Sequence, residues 1–239
     1  MTSTVLITGA NRGIGRSLAS GFLAAGFTVV ATYRQSADRE ALAIEGFTPV
    51  MCDVSSSDSI NAAFDEAEAA VGPIGAVVAN AGITRDGLLM RMSDDDMDAV
   101  INTNLVGSIK VARRAVTSMV KQRYGRIIFI SSVVGLMGNP GQVNYAASKA
   151  GLVGAARSLA REVGSRGITV NVIAPGFVMT EMTAELSPDK QGEFLSQVPL
   201  KRFADPAEIA GAAVFLASEG AGYITGQIIG VDGGLGLGH

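Results

Sequence analysis

The chain is poor in the side chains on which most catalytic designs rest. It holds one cysteine, Cys52, and one histidine, His239, the last of its 239 residues. A lone thiol excludes an intramolecular disulfide and argues against a thiolate metal cluster, and its place in a predicted strand marks Cys52 as a buried, inert group. With one terminal imidazole, neither a Ser-His-Asp triad nor the usual zinc-hydrolase ligand set can be assembled, so no metal is expected. Tryptophan is absent, charged residues make up 17%, and the net charge is -3. A balance of that sign offers no general attraction for nucleic acid or for an anionic membrane. The longest apolar stretch, residues 127–137, is interrupted by Ser131, Ser132 and Gly135 and is too short to span a bilayer. No basic segment leads into an apolar run at the N-terminus, which makes the cytoplasm the expected location. No repeat, low-complexity segment or linker interrupts the chain.

What is abundant is apolar residues, at 48%, and glycine, at 30 residues, the composition of a compact core with many tight turns. Short, nearly continuous apolar runs at 4–8, 28–32, 48–52, 76–79, 126–130, 168–173 and 227–231 predict strands, and each of the first six precedes a helical stretch. That rhythm predicts a doubly wound, Rossmann-type α/β fold: one domain over 1–239, with a parallel sheet of about seven strands and helices on both faces. Ligands of such folds bind at the carboxyl ends of the strands, where Thr8, Tyr33, Arg34, Asp53 and Asn80 stand.

The first strand runs into Thr8-Gly9-Ala10-Asn11-Arg12-Gly13-Ile14-Gly15 and then into an amphipathic helix. Glycine allows backbone angles closed to other residues, and its missing Cβ lets a pyrophosphate approach the amides at the positive end of the helix. A glycine turn by itself is also what any tight strand-to-helix connection uses. Farther on, Tyr145 and Lys149 stand four apart in an alanine-rich helix and share one face. An ammonium within about 4–6 Å of a phenol favours the phenolate and brings its pKa down from about 10 toward neutrality. The pair therefore reads as an acid-base unit, against the plain alternative of two residues covering a helix surface.

These two motifs, in this order and spacing, resemble the short-chain dehydrogenase/reductase family over essentially the whole chain. The resemblance implies a catalytic serine thirteen residues before Tyr145, which is Ser132 rather than Ser131. Asn104 corresponds to the family's helix asparagine, implied to hold a water that links Lys149 to solvent; Asn102 is the neighbour most easily confused with it. The cofactor residues implied are Gly9, Asn11, Arg12, Gly13, Ile14 and Gly15 in the glycine turn and Asp53 and Val54 at the adenine. Asn80, Ala81 and Gly82 follow the fourth strand, with Ala79 departing from the family's Asn-Asn-Ala-Gly. Tyr145 and Lys149 are themselves cofactor contacts, and Pro175, Gly176, Val178 and Thr180 would hold the nicotinamide carboxamide. Arg12 and Arg34, with no acid after the second strand, favour NADP(H) over NAD.

Within the family, the runs 82–92, 132–135, 144–149 and 231–234 most resemble the 3-oxoacyl-[acyl-carrier-protein] reductases of type II fatty-acid synthesis, and Gly236-Leu237-Gly238-His239 resembles the ending of actinobacterial members. The expected reaction is NADPH-dependent reduction of a 3-oxoacyl thioester to the 3-hydroxyacyl thioester. A reductase of another ketone, such as acetoacetyl-CoA, a sugar or a steroid-like alcohol, would share every catalytic residue. A nucleotide-sensing protein on the same fold would be expected to have lost the tyrosine or the lysine. Residues 180–202 read as a partly apolar substrate lid. Arg123, Arg126 and Arg166 read as a basic patch for an acidic acyl-carrier protein, and the resemblance implies a homotetramer built through helices near 103–121 and 146–163.

Overall fold

The computed structural model describes residues 3–35, 38–179 and 187–237. Its β-branched runs form β1 (Thr4–Ile7), β2 (Thr28–Tyr33), β3 (Thr48–Met51), β4 (Ala76–Ala79), β5 (Gly125–Ile130), β6 (Ile168–Pro175) and β7 (Ile228–Val231). These lie within two residues of the expected bounds, with β6 running on to Pro175 because it pairs with β7 to its end, Pro175 opposite Val231. All seven are parallel, in the order β3-β2-β1-β4-β5-β6-β7. The chain first winds outward from β1 to β3, then returns to the other side of β1 at β4. The order therefore reverses between β1 and β4, and the crevice outside their carboxyl ends is where such sheets take ligands.

The connections are α1 (Gly13–Ala24), α2 (Asp38–Ile44), α3 (Ser57–Val71), α4 (Asp94–Ile101), α5 (Ser108–Gln122), α6 (Val134–Met137), α7 (Val143–Val163), α8 (Pro188–Gln197) and α9 (Pro206–Ala217). Alternate strand residues point to opposite faces. Leu6, Val77, Ile127 and Phe129 pack under α3, α5 and α7 together with Phe64, Met119 and Leu152. Val5, Ile7, Ile128 and Ile130 pack on the other face with Leu18 and Phe22 of α1 and Ile209 of α9. Burying each of these large side chains is worth about 1.5–3 kcal/mol, so both faces are strongly specified. α9 begins where the sequence signals it, at Asp205-Pro206: the Asp205 and Glu208 side chains form a reciprocal capping box.

One expected partner residue falls out here. Arg126 is the second residue of β5 at the amino edge of the sheet and is only 5% exposed. Its guanidinium lies 4.6 Å over the Tyr124 ring and donates to the carbonyls of Gly125, Gly167 and Ser218. It staples three chain segments and is not a surface docking cation. Arg123 and Arg166 are exposed, and Arg123 donates to the Ser165 carbonyl, which brings both onto one patch.

Candidate active site

The turn after β1 is shaped by sterics. Gly9 and Gly13 take positive φ, +65° and +53°, a region costly for residues with a Cβ. A methyl group on Gly15 would overlap the Gly9 carbonyl oxygen and lie 2.6 Å from Asn80 Nδ2. Asn80 braces the turn from the adjacent strand end, donating from Nδ2 to the carbonyls of Thr8 and Gly9. The Thr8 hydroxyl accepts the backbone N–H groups of Asn80 and Ala81. Arg12, the N-cap of α1, is extended and gives no side-chain cap, so the amides of Gly13, Ile14 and Gly15 open the helix without one. This uncapped end beside glycines fits a dinucleotide pyrophosphate.

Around it, Arg12 and Arg34 are exposed and neither forms an ion pair among the described residues. Asn11 donates to Asp38. Asp53 accepts from the Ser55 backbone and hydroxyl, which hold its carboxyl below the usual range with help from Arg34. Val54 is buried, with its carbonyl and side chain both packed against Gly107. Pro175 and Gly176 are fixed by bonds from Val133 N to the Pro175 carbonyl and from Gly176 N to Val231. Val178 bridges to Ala204. Thr180, and Met182 and Leu186 of the expected lid, lie outside the described residues. From Ser187 onward that region is α8, where Phe194 stacks on Phe177 at 4.5 Å and Val198 is buried. Much of its apolar surface is spent on packing.

The reacting groups come from one stretch. After β5, Ser131 turns inward and donates to the Lys149 carbonyl, while Ser132 Oγ stays half-buried, accepts Val134 N and lies close enough to Tyr145 to pull its phenol pKa down. Of the two serines, Ser132 is the one whose hydroxyl acts on the phenol, and Ser131 is spent on the Lys149 carbonyl. Lys149 is 4% exposed and its Nζ lies 5.6 Å from the Tyr145 ring centroid. That ammonium donates to the Ile130 carbonyl at 2.8 Å. Burial pushes the Lys149 pKa down to about 8. The expected lowering of the Tyr145 pKa by Lys149 is not what the chain's own groups produce. Burial pushes the phenol up, Ser132 pulls it down and the Asp86 carboxylate pushes it up.

Asn104 is fully buried in a π-helical turn, Asn102–Gly107, which joins α4 to α5. Its side chain is consumed by Ile83 N, the Ile83 carbonyl and Ser148 Oγ. A Cβ on Gly82 would sit 3.1 Å from Asn104 Oδ1 and 3.6 Å from Lys149 Nζ, so both side chains converge on that glycine. Sequence reasoning missed the π turn, the brace formed by Thr8, and Asn144, which is 2% exposed and donates to the carbonyls of Arg85 and Asp96. An asparagine directly before Tyr145 was the available signal. A separate cavity of about 400 Å³ beside the end of β7 is lined by Phe177, Leu200, Arg202 and Asp232 and includes none of Asn104, Ser132, Tyr145 or Lys149.

Over residues 9–236 the chain matches the family described as Enoyl-(Acyl carrier protein) reductase. It is 47% identical to the 3-oxoacyl-[acyl-carrier-protein] reductase MabA of Mycobacterium avium over 239 residues, 100% of this chain and 92% of that protein. The MabA of Mycobacterium tuberculosis strain H37Rv is 47% identical, with 100% and 95% covered. The 3-oxoacyl-[acyl-carrier-protein] reductase FabG of Staphylococcus aureus strain N315 is 45% identical over 243 residues, with 98% of each chain covered. A parallel sheet reversing at β1 and β4, a serine, tyrosine and lysine gathered at its carboxyl edge and relatives of this likeness over their whole length place the chain in the short-chain dehydrogenase/reductase family.

Proposed function

We propose that the protein is an NADPH-dependent reductase that converts 3-oxoacyl-[acyl-carrier-protein] to 3-hydroxyacyl-[acyl-carrier-protein] in type II fatty-acid synthesis, in the cytoplasm. The observation that carries this reading is the Ser132–Tyr145 hydroxyl pair standing over a buried Lys149 beside an uncapped glycine turn. The names of the relatives supply the substrate class.

Bound NADPH supplies the hydride. Gly13, Ile14 and Gly15 would receive the pyrophosphate on their amides, with Arg12 and Arg34 toward the 2′-phosphate and Pro175, Gly176, Val178 and Thr180 at the nicotinamide. Asp53, Val54, Asn80, Ala81 and Gly82 would line the adenosine side. Ser132 and Tyr145 would both donate to the ketone oxygen, polarising the carbonyl. As negative charge develops there, Tyr145 gives up its proton. Its high pKa in the protein keeps it protonated for that step. Lys149, titrating near 8, is suited to returning a proton toward Tyr145. Asn104 holds the 82–83 backbone beside Lys149.

Exposed Arg123 and Arg166 are offered as the carrier-protein contact, and half-exposed Ile109 on α5, at 42%, supports a tetramer through α5 and α7. Charge reversal at both arginines should raise KM for a carrier-bound substrate and not for a free thioester. The deciding assay follows NADPH consumption with acetoacetyl-carrier protein, with NADH, crotonyl-carrier protein and Tyr145→Phe as controls. Turnover specific to NADPH and the 3-oxo substrate, lost well over tenfold in the variant with NADPH binding retained, is the expected result. Turnover of the enoyl substrate alone would move the chain to the enoyl reduction after which the matched family is described. Full activity in Tyr145→Phe would remove the assigned acid.

A further inference from the structure

From Asn80 to Leu88 the chain is neither helix nor strand, yet its placement is tightly held by the catalytic elements. Asn104 takes both backbone groups of Ile83. Asn144 Nδ2 donates to the Arg85 carbonyl at 3.0 Å. Gly87 N donates to the Gly141 carbonyl at 2.8 Å. Between these, the exposed Asp86 carboxylate accepts Gln142 Nε2 at 2.9 Å, and Gln142 Oε1 accepts Asn139 Nδ2 at 2.9 Å. A solvated surface aspartate has no need of a two-amide relay. This one immobilises the 139–142 turn.

That turn separates the two hydroxyls of the site. Ser132 precedes it through α6, and Tyr145 follows it in the first turn of α7, where Ala146 N donates to the Gln142 carbonyl at 2.7 Å. Tyr145 N in turn donates to Asn144 Oδ1. A shift of residues 139–142 therefore changes the distance between Ser132 and Tyr145.

We propose that Asp86 is a positioning residue for Tyr145: through Gln142 its carboxylate pins the turn from which α7 starts. The role rests on the reductase reading, which makes Tyr145 the proton donor. The groups that act on the phenol are Ser132 from the segment after β5 and Asp86 from the 80–88 loop, and Lys149 of α7 lies 5.6 Å from its ring centroid. Arg85 and Asp96, on the loop and on α4, face each other at 3.8 Å. An anion at Asp86 disfavours the phenolate, so it holds Tyr145 in the protonated form that reduction requires.

The test compares kcat, KM, NADPH affinity and the phenol titration midpoint in Asp86→Asn, Asp86→Ala, Gln142→Ala and the Ala double variant. Breaking the latch should lower kcat by about tenfold to a hundredfold, the scale of a misplacement near 1 Å, with NADPH affinity held within about twofold. The double variant should be no worse than either single one. Asp86→Asn retains an acceptor for Gln142 but no charge, so its kcat should fall less than that of Asp86→Ala while its Tyr145 phenol, followed by tyrosinate difference titration against Tyr145→Phe, titrates at lower pH. Additive losses, an Asp86→Ala enzyme with the wild-type kcat, or an unmoved phenol midpoint in Asp86→Asn would each overturn the proposal. Where Asp86→Ala does not fold, the phenol midpoint in Asp86→Asn decides. If the wild-type protein turns over no 3-oxoacyl substrate, the reductase reading fails separately. Tyrosinate difference titration against Tyr145→Phe then decides for Asp86: a midpoint lowered in Asp86→Asn supports it, and an unchanged one refutes it.

Discussion

Replacing Lys149 by Met should abolish turnover and make the protein more stable. The side chain is 4% exposed, and burial lowers its pKa from an ordinary 10.5 to about 8. A folded-state pKa below the unfolded one means that the native state binds the proton less tightly. A shift of this size corresponds to roughly 3 kcal/mol of penalty on the charged form, borne in full below about pH 8. Between about pH 8 and 10.5 the native protein sheds the proton while the unfolded chain keeps it, so wild-type stability rises through that window. Methionine is close to lysine in volume and carries no charge; it forfeits the charge-assisted bond to the Ile130 carbonyl, worth about 2 kcal/mol. The net gain of about 1 kcal/mol at neutral pH should raise Tm by about 2–4 °C in a chain of this size. Thermal unfolding at fixed protein concentration would be followed by circular dichroism at about pH 7 and about pH 10, with the advantage of the variant shrinking at the higher value. A variant that melts below wild type at neutral pH, or an advantage equal at both, refutes the reasoning. On the proposed reading, a lysine held at this depth is a stability cost retained for function.

Gly15→Ala places a Cβ on the Gly9 carbonyl and against Asn80. The turn must open, and NADPH affinity measured by calorimetry should fall at least about tenfold; unchanged affinity would contradict the cradle. Arg34→Asp puts an acid where a ribose 2′-hydroxyl would be read, and the kcat/KM ratio of NADPH to NADH should drop by about tenfold or more. A constant ratio would show that Arg34 does not select the cofactor. The Cys52 thiol, pushed up to about 12 by burial, should resist iodoacetamide in the native protein and react on unfolding; native labelling at the rate of a free cysteine would show the site to be open.

The strands were legible because each is short and apolar, and the central five are buried almost throughout, so little in their tertiary setting competes with the local signal. Tyr145 and Lys149 were legible as a pair because helical spacing alone puts them on one face. Their electrostatics were not. Spacing does not reveal that Lys149 Nζ turns to the Ile130 carbonyl, nor how deep the phenol sits. The π turn at Asn102–Gly107 was hidden because its cause is distant: Asn104 is pulled onto the Ile83 backbone from a segment with no regular structure of its own. Arg126 looked like part of a surface patch because linear neighbours were counted. Its place at the start of β5 instead folds it under Gly167 and Ser218.

The two halves of the site differ in how far the chain must reach to build them. Ser132, Tyr145 and Lys149 come from one continuous strand, turn and helix, whereas the brace from Asn80 N to Thr8 Oγ1 spans a sequence separation of 72. Loop closure over such a distance precedes any reward from the contact, so non-local pairings form late. During folding, the catalytic trio should therefore be protected from amide exchange before the glycine turn, which awaits the pairing of β1 with β4. Pulse-labelled exchange that protects residues 8–15 ahead of residues 127–149 would reverse that order. A nascent chain emerging from the ribosome would then own its chemistry before it could hold its cofactor.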